Sequence, residues 1–160
     1  MSEAVGRHAV ALASVVELAR RAGAQRVVLL IDEGDRAQAT MIEWAGDGSL
    51  ELTEEGVTEP VAAATIAQVA PTELPDVTAV PPSALSVDEA TGELAAPLGV
   101  LAALAGAVLA LAAAFGGRSV ATAEFATREP DQPFMLAARP GEAVVAQIGG
   151  ETFAFPEGWP

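Results

Sequence analysis

Cysteine, lysine, asparagine and tyrosine are absent from this chain of 160 residues. Without cysteine there is no disulfide scaffold, no thiolate metal site and no cysteine nucleophile. Without asparagine there is no acceptor for N-glycosylation. All eight basic residues are arginine. The joint loss of lysine and asparagine, both read from A-rich codons, is what a GC-rich genome produces; the heat lability of asparagine and cysteine also permits a thermostability reading. Aromatic residues make up 4% of the chain, so its core must be built from Val, Leu, Ile and Ala.

What is present is apolar and acidic. Apolar residues account for 51% and charged residues for 19%, which is far from the composition of a disordered chain. The length fits one domain spanning 1–160 with a real core. The formal charge is −14, unevenly placed. Residues 1–36 are neutral overall, 37–117 hold acids and no base, and 118–160 hold six acids against three arginines. Such a surface repels phosphate backbones, so no nucleic-acid binding is expected. The acidic block reads as a solvated surface, with a basic partner as the other reading. The first residues, with Arg7 the only early base and Glu17, Arg20 and Arg21 interrupting the apolar stretch, do not form a signal peptide. A cytoplasmic location is expected.

Residues 1–53 read as a helix followed by three strands. Val5, Ala9, Leu12, Val16 and Ala19 recur at helical spacing, which predicts an amphipathic helix over 4–22, and Gly23 is placed to stop it. Residues 26–32, RVVLLID, form a short continuous apolar run, the mark of a strand buried on both faces. A second strand is expected over 37–44. Gly46-Asp47-Gly48 signals a hairpin into a third strand around Leu50 and Leu52. Residues 54–93 read as an acidic, proline-rich connection with a short helix at 60–69.

Residues 94–160 read as a buried helix and three or four strands. No charge interrupts 94–117. Leu101, Leu104, Val108, Leu111 and Phe115 form a stripe of large residues, with Gly99, Ala103, Gly106, Ala110, Ala113 and Gly117 opposite. A helix apolar all round is expected to be buried all round, its large face on a sheet and its small face against another helix. A transmembrane span is disfavoured: Ala dominates and no basic cluster flanks the segment. Strands follow at 119–127, 134–139, 142–148 and 152–155, separated by proline- and glycine-containing turns. Each half thus runs from a helix into a meander. The expected fold is α+β: an antiparallel sheet of five to seven strands in two meanders, packed against an N-terminal amphipathic helix and a wholly apolar central helix.

The search for chemistry returns little. His8, the only histidine, lies near the edge of the apolar face of the first helix, and no nucleophile elbow accompanies it. Asp32, Glu33 and Asp35 lack the alternating spacing and distal Glu of a calcium loop and read as a solvated turn. No glycine cluster matches a phosphate or dinucleotide loop. No spacing singles out a catalytic carboxylate pair. The chain is therefore expected to be no enzyme and to need no cofactor or metal. Arg118, Arg128 and Arg139 are the only bases of the last third. They fall at strand ends, where they could meet on one rim and hold an anion, or pair with Glu124, Glu129 or Glu142.

The order of elements resembles the small sheet-plus-helix regulatory domains that include Roadblock dynein-light-chain-like and GAF domains. From 98 to 148 an apolar helix, LGVLAALAGAVLALAAAFGG, feeds into three antiparallel strands, as in Roadblock domains; GAQRVVLLIDEGD looks like the first strand of either family after its helix. Three early strands instead of two, and no final helix, depart from the Roadblock pattern. The resemblance implies a non-catalytic, homodimeric protein-interaction or regulatory module. Its GAF-like alternative implies a small-molecule-sensing pocket.

Overall fold

The computed structural model describes residues 2–34, 37–86, 90, 96–129 and 131–153. Helix α1 (Glu3–Arg7) starts at Ser2, whose Oγ accepts a hydrogen bond from the Val5 amide at 3.1 Å. The single helix expected over 4–22 is broken at His8, which leaves the helical region at φ −106° and ψ 16°. Helix α2 (Ala9–Ala22) follows and stops where expected, at Gly23. Gly23 has φ 70°, and a Cβ there would meet Ala79 Cβ at 3.1 Å, so glycine is required both by the left-handed turn and by the close approach of the connection.

The strands are β1 (Arg26–Ile31), β2 (Thr40–Ala45), β3 (Leu50–Glu54), β4 (Val57–Pro60), β5 (Val120–Phe125), β6 (Phe134–Ala138), β7 (Val145–Ile148) and β8 (Glu151–Phe153). They form one antiparallel sheet in the order β4-β3-β2-β1-β5-β6-β7-β8. Each half is a four-strand meander, and the first strands of the two halves, β1 and β5, pair at the centre. The α+β fold and its antiparallel sheet are as expected. Among the described residues the strand count is eight instead of five to seven. One strand too few was expected in the first half because β4 lies inside the 54–93 connection, beyond a tight turn at Glu55 and Gly56, which both have positive φ. Pro60 can close β4 because this is an edge strand, where a missing N–H breaks no ladder. The second strand begins at Thr40, later than 37, and the strand expected from 142 begins at Val145.

The helix expected at 60–69 is a single turn, α3 (Ala63–Ile66), and the connection adds a 3-10 turn at Pro82–Ala84. Helix α4 (Leu98–Ala114) is shorter than the 94–117 expected. Helix α2 packs on β1 and β2, α4 packs on β5 and β6, and the two touch each other, so both lie on one side of the sheet. Leu12, Val15, Leu18, Leu101, Leu104, Val108 and Leu111 meet Val27, Leu29, Ile42, Leu52, Leu136 and the Phe125–Phe134 pair there. Each such aliphatic side chain removed from water contributes about 1.5–3 kcal/mol.

Two burial expectations are corrected. The first concerns α4. Its large stripe is buried, apart from a half-buried Phe115, but Gly99, Ala102, Ala113 and Ala114 are exposed, and a Cβ at Gly106 would meet nothing within 4 Å. The expected close helix contact on the small-residue face does not form within the described residues. The helix that is covered nearly all round is α2, because the connection folds over it: the Thr72 amide donates to Ser14 Oγ at 2.7 Å and the Val80 amide to Ala22 O at 3.3 Å. The second concerns β1. Its apolar run predicts cover on both faces, yet only Val27, Leu29 and Ile31 are buried. Val28 and Leu30 point away from the helices and stay half-buried.

Candidate functional site

Alternation along the strands builds the outer face of the sheet, and the pairing register aligns its residues in rows. One row runs Glu51, Glu43, Val28, Thr122, Ala137 and Val145 across five paired neighbours. The next runs Thr53, Met41, Leu30 and Val120. A third joins Arg26, Glu124, Met135 and Gln147. The apolar members form one contiguous strip over the central strands. None belongs to the buried core, and Val145 is 42% exposed. A continuous apolar surface of this kind, rimmed by charge, is what marks a contact site on a soluble protein.

The charges of this face separate along the strands. Toward one end, Arg26 Nε donates to Glu43 Oε2 at 2.5 Å and Arg26 Nη1 lies 3.9 Å from Glu124 Oε2, with Glu51 beside Glu43 in register. Toward the other end, Arg118 Nη1 lies 3.6 Å from Asp32 Oδ2. Arg139 follows β6 directly at that same end, exposed. Carboxylates thus outnumber guanidinium groups at the first end, and Arg118 and Arg139 stand at the second.

Of the three arginines expected to share a rim, Arg118 and Arg139 therefore do, while Arg128 does not. It lies past the opposite end of β5, where it lines a half-open cleft of about 310 Å³ with Leu85, Ser86, Thr127, Glu129, Gln132 and Ile148. Thr127 Oγ1 organises the wall of this cleft by accepting from the Glu129 amide at 3.1 Å. The pairing considered for Glu124 goes to Arg26 and Gln25. A second cleft, about 330 Å³ and mainly apolar, lies between α2 and the connection, lined by Ala13, Val16, Glu17, Ile66, Val69 and Pro71 among others.

His8 is 6% exposed, and its Nε2 lies 2.9 Å from Glu54 Oε2; Glu54 is also bound by Arg7, so the pair ties the helix break to β3. The hydrogen bond to Glu54 raises the Arg7 guanidinium pKa above its usual value. The Asp32 carboxylate accepts from the Gly34 amide at 2.9 Å, a local turn, while Asp35 lies outside the described residues. At the Gly46-Asp47-Gly48 hairpin the Ser49 amide donates to Asp47 at 2.9 Å and holds that carboxyl below the usual range. Among the described residues there is no group of three His, Cys, Asp or Glu that could hold a metal ion, and no helix is long and apolar enough to cross a membrane.

Sequence reasoning singled out the arginines and passed over the strip. Its signals were present: the unbroken run of β1 and the alternation of β5 and β6. They acquire a location only once the register is known. Compared with protein-family models, curated proteins and solved structures, the chain matches none.

Proposed function

We propose that this chain is a non-catalytic protein-interaction module, regulatory in the manner of the Roadblock-like domains its element order resembles, and that it associates with itself. The observation that carries the reading is the one-sided cover of β1. RVVLLI is the sequence of a strand buried twice, and among the described residues it is covered on one face. The outer residues of the central strands and the open flank of α4 present apolar surface with no layer of described residues above them, so a second polypeptide is the natural source of cover. His8, Arg7 and Asp32 are engaged in holding the fold, His8 and Arg7 on Glu54 and Asp32 on its own turn and on Arg118. Sedimentation equilibrium of the full chain tests this. A dimer at micromolar concentration is expected; a monomer at every accessible concentration would overturn it.

The GAF-like alternative draws on the Arg128 cleft, whose apolar floor of Leu85 and Ile148 and polar wall suit a small anionic molecule. It predicts a small acid that raises the unfolding midpoint of the wild type and leaves that of Arg128→Ala unmoved. A panel of small carboxylates and phosphates with no such member would count against it.

A further inference from the structure

Resting on the self-association reading, we infer that the second copy takes the open face of the sheet, with its strands running antiparallel to the first, so that Glu124 of each copy meets Arg118 of the other. Three observations point there.

The first is the pattern of burial. Val28, Leu30, Met41 and Val120 adjoin one another in register, Ala137, Met135 and Val145 continue the apolar surface past Thr122, and no described helix covers them, though all but Val145 are half-buried. Ala121 and Ala123 are buried on the helix side, so Val120, Thr122 and Glu124 alternate outward, and Arg118, in the turn just before β5, stands at the Val120 end of that strand beside Asp32. The line of β5 therefore reads basic, apolar, polar, acidic from one end of the open face to the other.

The second is the charge. A face with surplus carboxylate at one end and guanidinium at the other is self-complementary under one two-fold axis: the axis in the plane of the sheet and perpendicular to the strands. This rotation lays β5 over β5 head to tail and repeats each contact twice. Arg118 is 72% exposed in its side chain and its Asp32 contact is long, at 3.6 Å; the Arg26–Glu124 contact is 3.9 Å. The Arg118 guanidinium is therefore open to an incoming partner, whereas the Glu124 side chain is 19% exposed and held by Arg26 and, at 3.3 Å, by Gln25, long contacts that a guanidinium of the second copy would replace. A net charge of −14 on each copy opposes association in general, so the copies must meet where the charges interleave.

The third is size. Eight strands at ~4.8 Å and about five residues at ~3.4 Å give the whole open face roughly 650 Å² per copy, or ~1,300 Å² in the pair, so the interface reaches the specific range only if it spreads from the apolar strip over the flanking strands as well. The outer flank of α4 is mostly Gly and Ala, with Leu109 its one large side chain beside Ala102, Gly106 and Ala113.

Sedimentation equilibrium on wild type and variants decides the matter, with far-UV circular dichroism as the check on folding. Leu30→Arg should make the protein monomeric with its secondary structure intact. Should Leu30→Arg fail to fold, Val145→Arg, at the exposed margin of the strip, replaces it and should weaken the dimer. Glu124→Arg and Arg118→Glu should each weaken the dimer about tenfold or more, and the double exchange should restore most of the loss, as complementary charges across an interface do. A dimer indifferent to the sheet-face variants and broken by Gly106→Arg would place the second copy on α4; the inference fails and self-association stands. A monomeric wild type removes both.

Discussion

Ser14 Oγ accepts a hydrogen bond from the Thr72 amide at 2.7 Å while donating one to Val10 O at 2.7 Å. Ser14 is fully buried, and through this contact the proline-rich connection is fastened to the outer side of α2. Replacing Ser14 by Ala leaves the Thr72 donor without its partner and should cost about 1–3 kcal/mol. Denaturant unfolding measures the loss. Limited proteolysis should in parallel cut the connection faster in Ser14→Ala, because local opening there becomes easier. Unchanged stability and an unchanged cleavage rate would show that the contact does not hold the segment.

Thr40 gives the opposite sign. It opens β2 opposite Ile31, is 1% exposed, and its Oγ1 has no hydrogen-bond partner among the described residues. A buried hydroxyl without a partner carries its desolvation penalty uncompensated, so Thr40→Val, which keeps the branched shape, should stabilise the fold by about 1 kcal/mol. The expected result is a higher denaturant midpoint with an unchanged slope. A lower midpoint would mean that the hydroxyl finds a partner in solution.

Glu17 supplies a pH dependence. Arg20 Nη2 donates to Glu17 Oε1 at 2.8 Å and holds the Glu17 carboxyl below the usual carboxylate range; partial burial opposes this and a hydrogen bond from Arg21 adds to it. Because the folded-state pKa is depressed, the stabilisation is present above the ordinary glutamate pKa and is lost as pH falls through the lowered value. Helical pairs of this kind are worth about 0.3–0.5 kcal/mol each. Glu17→Gln should therefore melt lower than wild type at neutral pH, and the gap should close as pH falls through the carboxylate range. A gap that persists in acid would show that the side chain acts by packing alone.

Where the chain changes direction was legible from single residues. Gly23 ends α2 in the left-handed region, and Gly46-Asp47-Gly48 turns β2 into β3. The large stripe Leu101, Leu104, Val108 and Leu111 faces the core as its spacing implies. The break at His8 was not legible, because the apolar spacing runs across it, and the residue that holds the buried imidazole, Glu54, is 46 positions away. Strand β4 was hidden for a similar reason: VTEP carries no apolar alternation, and it exists because the β3 edge offers unpaired backbone groups just beyond a tight turn.

The sequence by itself determined the class of fold, two helix-then-meander halves, since periodicity and turn residues act over a few positions and need no partner. Only the tertiary structure decided what covers each face. Period two marks Val28 and Leu30 as one side of β1 and Val27 and Leu29 as the other, but both sides are apolar, so nothing local says which meets the helices. The same holds for the helices: among the described residues α2 is wrapped by the connection and α4 is left open around Gly106, because Ser14 and Ala22 have partners in the connection, at Thr72 and Val80, while that face of α4 has no polar side chain to anchor a covering segment. Burial is settled by long-range pairing, and among the described residues that pairing leaves one apolar face of the sheet uncovered.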